Sequence, residues 1–138
     1  MSKNMGAVLI VMHKMNRNEG GNHAAATTLG SPGKAIAFDY RGNVLEGVVI
    51  EYDYGSVYVD REFFERILTA FRGKKVPGGF SETNPTPNGL GEWVRDNSHY
   101  NSQPLTPRHA SRIAAIIVAE GYGTSDRDGN AVLLKFGA

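Results

Sequence analysis

The chain contains no cysteine, which excludes a disulfide, a thiolate nucleophile and a cysteine-bound zinc site, and leaves stability to packing. That usage fits a reducing, cytoplasmic setting. Long apolar runs are also lacking. Ala7 to Met12 has six residues and Ile113 to Ala119 seven, far fewer than the roughly 20 that cross a bilayer, so no membrane span is expected, and the first of these runs reads as an opening strand over 7–13. A dominant charge is missing too: the net charge is +1 and 21% of residues are charged, which does not describe a disordered polyelectrolyte.

Several catalytic signatures are equally absent. Gly73-Lys74-Lys75 and Gly78-Gly79 do not make a phosphate-binding loop, because the long glycine-framed spacing ending in Lys-Ser/Thr is missing. No serine stands in a nucleophile elbow. His13, His23, His99 and His109 never fall at the four-residue spacing of a helical metal pair. Asp126, Asp128 and Asn130 begin like a calcium loop, but Ala131 and Gly137 occupy the positions that need Gly and Glu. No metal and no cofactor are expected.

What is present describes a folded chain. With 138 residues and 41% apolar content, one core suffices, and residues 1–138 read as a single domain. Two sub-lobes are suggested within it, a meander plus helix over 1–73 and a helical pair plus hairpin over 86–138. The 17 glycines fall between periodic segments and mark loops, above all 14–33 and 74–91. Segment charges differ: +3 over 1–34, −3 over 35–72, +2 over 73–112 and −1 over 113–138.

Alternation predicts strands at Lys34–Tyr40, with Ile36, Phe38 and Tyr40 inward, and at Val44–Tyr54, with Val48, Ile50, Tyr52 and Tyr54 on one face. Arg41-Gly42-Asn43 and Gly55-Ser56 supply turns, Gly47 suits a bulge, and Val57–Val59 adds a third strand. Asp60 is placed to cap a helix that buries Phe64, Ile67, Leu68 and Phe71 and ends at Gly73. A short helix is expected over 90–100. A second begins with Thr106 as cap and Pro107 at its first helical position, runs to Glu120, and hides Ala110, Ile113, Ala114, Ile117 and Val118. Residues 126–130 turn into a last strand, Ala131–Phe136. The fold class is α+β: an antiparallel β-meander packed on a helix, then a helix-turn-helix-like pair and a C-terminal strand.

Two surfaces carry functional signals. Arg108, His109, Ser111 and Arg112 cluster at the start of the last helix, where unpaired backbone N–H groups attract anions; the plain alternative is a solvated face. Glu51, Asp53, Tyr54 and Tyr58, with Glu46, Tyr40 and Tyr52, give the meander carboxylates and phenols suited to a basic protein partner. The alternative there is buried tyrosines under a wet outer face. Glu51 and Asp53 are also spaced as a carboxylate pair on a strand, a weak pattern for acid–base catalysis.

The layout over 86–136, two short helices followed by a polar-tipped hairpin, resembles the helix-turn-helix and wing of winged-helix DNA-binding domains. The resemblance implies that Arg108, His109, Ser111 and Arg112 face a groove while Lys74, Lys75 and Arg127 contact phosphates. It departs from that pattern at the wing, where Asp126 and Asp128 flank Arg127. The expected activity is therefore non-enzymatic binding of nucleic acid or a nucleoprotein complex. A second reading is a protein–protein inhibitor or accessory factor of a phage or other mobile element, and a third is a small enzyme or binder of an anionic small molecule.

Overall fold

The computed structural model describes residues 23–29, 36–128 and 131–137. Two antiparallel sheets and three helices make up this part of the chain, an α+β architecture as expected. The strand anticipated at 7–13 lies outside the described residues.

The first sheet is a meander of β1 (His23–Thr27), β2 (Ala37–Asn43), β3 (Gly47–Tyr52) and β4 (Gly55–Val59), in that order. Its inner face is the alternation read from the sequence: Phe38, Tyr40, Val48, Ile50, Val57 and Val59 are buried. Ile36 is not, standing 57% exposed beside the sheet. β1 corrects the expectation of an uninterrupted loop over 14–33. Ala24 and Ala26 are buried where β1 pairs with β2, and residues this small give no apolar signal to read in advance.

The turns are displaced from their expected positions. Arg41, Gly42 and Asn43 belong to β2, and the turn is Val44–Glu46, closed by Asn43 Oδ1 accepting from Glu46 N–H at 2.9 Å. Gly42 has φ +85° inside the strand, and a Cβ there would run into the Gly47 carbonyl, so this glycine permits a close strand approach rather than a bend. Likewise Tyr52 pairs with Gly55, which makes Asp53-Tyr54 the two-residue turn and leaves Gly55 and Ser56 in β4.

Helix α1 (Arg61–Phe71) buries Phe63, Phe64, Ile67 and Phe71. Asp60 precedes it, but its carboxylate makes no cap. It accepts instead from Ser102 N–H at 2.6 Å and Ser102 Oγ–H at 2.9 Å, a long-range pairing that outcompetes the local one. Nearby, Asn101 donates through Nδ2 to the carbonyls of Tyr58 and Gln103 and accepts from Asp60 N–H, each at 2.8 Å. Gln103 Oε1 accepts from Tyr58 N–H at 2.9 Å. Two side-chain amides thus occupy the outer edge of β4.

The connection over 74–91 is not structureless: β5 (Lys75–Pro77) pairs with β7 (Ala131–Phe136), which also pairs with β6 (Gly123–Asp128), giving the order β5-β7-β6. β6 reaches Asp128, beyond the turn expected from Asp126 onward. Helix α2 (Leu90–Asn97) and a 3-10 turn (Ser98–Tyr100) precede helix α3 (His109–Ala119). Phe63, Phe71, Trp93 and Phe136 pack ring to ring at centroid distances of 5.3 to 5.8 Å, joining α1, α2 and β7. The buried side chains form one cluster from Ala24 to Phe136. Gly91 lies where α2 meets the 78–79 backbone, and a Cβ would collide with the Gly79 carbonyl. Gly91→Ala is expected to lower stability by about 2–3 kcal/mol through overpacking, read as a lower urea midpoint with an unchanged slope.

Glu120, at the C-terminal end of α3, is 2% exposed. Its Oε2 accepts from Tyr40 Oη–H at 2.8 Å and its Oε1 from Val44 N–H at 2.9 Å, so it pins the helix to the meander. Burial pushes this carboxyl up to about 7 against the two hydrogen bonds that favour its charge. Burial, with Glu120 alongside, also pushes Tyr122 up to about 12. A raised carboxyl pKa means that the folded state holds a proton the unfolded chain has released. The contribution of Glu120 is therefore greatest below about pH 4.5 and falls as pH climbs to about 7. Across that window it should amount to roughly 3 kcal/mol. Urea unfolding of wild type and Glu120→Gln at several pH values checks this, the expected result being a stability difference that changes with pH in that window and levels above it.

Candidate functional site

The site is built around the first turn of α3. Thr106 and Pro107, expected as cap and first helical residue, lie just ahead of α3, which starts at His109 with Arg108 at the N-cap position and no side-chain cap there. His109 Nδ1 accepts from Thr106 N–H at 3.0 Å while His109 N–H donates to the Thr106 carbonyl at 3.0 Å. The histidine reaches back to Thr106 as Glu or Gln does in a capping box, but the return bond goes to the Thr106 carbonyl rather than to its hydroxyl. Because Nδ1 accepts, the neutral ring carries its proton on Nε2, which lies 3.2 Å from Tyr54 Oη. Burial pushes His109 down, and the neighbouring Arg108 and Arg112 add to that shift against the pull of Glu82. At neutral pH it is a neutral cap rather than a cation.

The backbone at this terminus differs from the expectation of free donors. His109, Ala110 and Ser111 N–H groups donate to the carbonyls of Thr106, Pro107 and Arg108 at 3.0 to 3.3 Å, so the tightened first turn satisfies them internally. Positive charge comes from the two arginines, which have different fates. Arg108 is 79% exposed, with Glu82 at 3.7 Å. Arg112 is held inside, donating to the Glu51 carbonyl at 2.6 Å with its guanidinium 4.0 Å from the Tyr52 ring centroid and 5.0 Å from that of Phe38. The face expected to be solvated is covered by the meander beyond the first turn, and Ile113 to Ile117 are all buried.

Against this turn stands the end of the β3–β4 hairpin. Tyr52 and Tyr54 stack at 5.1 Å, and His109 meets Tyr52 edge-on at 5.6 Å. Between hairpin and helix lies a cleft of about 640 Å³ lined by Arg108, His109, Ser111 and Arg112 on one side and Tyr52, Asp53 and Tyr54 on the other. Thr28, Ile36, Thr106 and Glu82 complete the wall. Residues anticipated on two separate surfaces thus share one cavity of ligand-binding size.

Other anticipated residues lie elsewhere. Lys74 and Lys75 line a second cleft, about 400 Å³, with Trp93 and the start of α2. Arg127 is on β6 and exposed, its backbone N–H bonded to Asp126 Oδ1. Tyr58 is on the β4 edge. Glu51 contributes its backbone carbonyl, while its carboxylate accepts from Arg41 at 2.9 Å and Ser56 at 2.7 Å. Since Asp53 sits in a turn, Glu51 and Asp53 do not form a carboxylate pair along a strand. Among the described residues no group of three or more His, Asp or Glu side chains is placed to hold a metal ion. No described helix is long and apolar enough to cross a membrane.

Glu82 is a cleft residue to which pattern reading assigned no role, because it sits in a segment with no periodicity. Ile36 reads as a core residue of a strand, and Tyr52 as a phenol of the meander surface rather than as a neighbour of the α3 arginines. No protein-family model, curated protein or solved structure matches the chain.

The Tyr52 hydroxyl is buried and has no hydrogen-bond partner among the described residues. Burial pushes it up to about 12, even with Arg112 drawing it down. An unsatisfied buried hydroxyl costs about 1–3 kcal/mol, so Tyr52→Phe is expected to leave the melting temperature unchanged or raise it. A clear fall in thermal denaturation would reveal a partner for this oxygen.

Proposed function

We propose that this protein is a non-enzymatic binding protein that contacts nucleic acid, alone or within a nucleoprotein complex, through the cleft at the start of α3. The observation that carries this reading is the meeting of Arg108 and Arg112 with the stacked Tyr52–Tyr54 pair in that cleft. Guanidinium groups attract phosphates, and aromatic faces offer stacking surface to bases. A cytoplasmic setting, with no cofactor required, belongs to the same reading.

A second reading is favoured by one feature. Ile36 and Tyr54, 57% and 73% exposed, stand at the same cleft as Arg108, and an aromatic–aliphatic–arginine set is also typical of protein hot spots. An inhibitor or accessory factor of a mobile element would use it on a partner protein.

Arg108 is the clean probe, because Arg112 also holds the fold. Arg108→Ala is expected to weaken binding to labelled oligonucleotides several-fold at low salt and to reduce the salt slope by about one, as read by fluorescence anisotropy. Absence of binding to both single-stranded and duplex probes at low salt would reject the nucleic-acid reading and leave the protein partner.

A further inference from the structure

Resting on that reading, we infer that the cleft takes an unpaired base of single-stranded nucleic acid, its ring against Tyr54 and the adjoining phosphate drawn to Arg108. α3 does not offer a groove-reading face. A helix enters a major groove only along an open face, whereas Ile113 to Ile117 are buried, and beyond the first turn only half-buried Val118 and exposed Ala119, at the far end, reach solvent. A paired base within a duplex has both faces stacked and cannot offer one to a tyrosine; an unpaired base can.

The tyrosine is prepared for that contact. Tyr54 is a large ring left 73% exposed, backed by Tyr52 at 5.1 Å, which is itself held by the Arg112 guanidinium at 4.0 Å and the His109 edge at 5.6 Å. His109 Nε2 fixes the Tyr54 hydroxyl at 3.2 Å. The platform is therefore stiff, and little freedom is lost when a base settles on it. Charge at the mouth is balanced rather than basic: Glu82 lies 3.7 Å from Arg108. Between exposed groups such a pair is weak, so a phosphate displaces it, yet the carboxylate still opposes the incoming strand. Glu82 is then a built-in brake on affinity.

The test uses the full chain and three labelled probes of equal length: oligothymidine, its blunt duplex with oligoadenosine, and an abasic strand. Oligothymidine should bind at least ten-fold more tightly than the abasic strand or the duplex. Tyr54→Ala should weaken oligothymidine binding by about ten-fold, Tyr54→Phe, which keeps the ring but loses the His109 contact, should weaken it by clearly less than Tyr54→Ala, and Glu82→Gln should tighten it several-fold. Melting curves confirm that these surface variants fold. Equal binding of strand, abasic strand and duplex, or indifference to Tyr54→Ala, overturns the inference while the nucleic-acid reading stands. No binding to any probe overturns both.

Discussion

The buried carboxyl of Glu120 is the contact on which the rest of the site depends, because it ties α3 to a sheet that precedes it by some 80 residues in the chain. The cleft has one wall from the meander, Tyr52 and Tyr54, and one from the helix, Arg108 and His109. Neither wall makes a site alone. A carboxylate at a helix C-terminus is disfavoured by the helix dipole as well as by burial, and it persists here because the Tyr40 hydroxyl and the Val44 amide occupy both its oxygens. At the other end of the helix, Arg112 donates to the Glu51 carbonyl. Glu120 and Arg112, each bonded to meander groups at opposite ends of the helix, fix it in register.

His109 concentrates the tension between folding and function. It caps the helix through one nitrogen and meets Tyr54 through the other, so it organises both walls but contributes no charge at neutral pH. The cleft is consequently more aromatic and less cationic than the residue types alone suggest. On the proposed reading, such a lining suits a planar group better than the phosphates of a duplex.

Much of the fold was legible because its core is periodic. Phe38 and Tyr40, Val48 and Ile50, Phe64, Ile67 and Phe71, and the isoleucines of α3 all point inward as their spacing requires. What was not legible depends on distant pairing. β1 carries alanines whose strand character comes from β2, and β5 is three residues long and exists only through β7. Gly42 looked like a turn residue and is a point of close approach. Asp60 looked like a cap and is bound by Ser102. Spacing alone places Arg108, His109, Ser111 and Arg112 near one another at the start of α3, and all four line the cleft. That Arg112 would be enclosed, and that Asp53 and Tyr54 would face them, depended on how the meander docks, which no local pattern encodes.

The treatment of β4 has a consequence for the behaviour of the protein in concentrated solution. An outer strand offers a row of backbone donors and acceptors to any other chain, and here Asn101 and Gln103 fill part of that row with side-chain amides. The segment between α2 and α3 thus leaves fewer free edge groups for another strand to pair with.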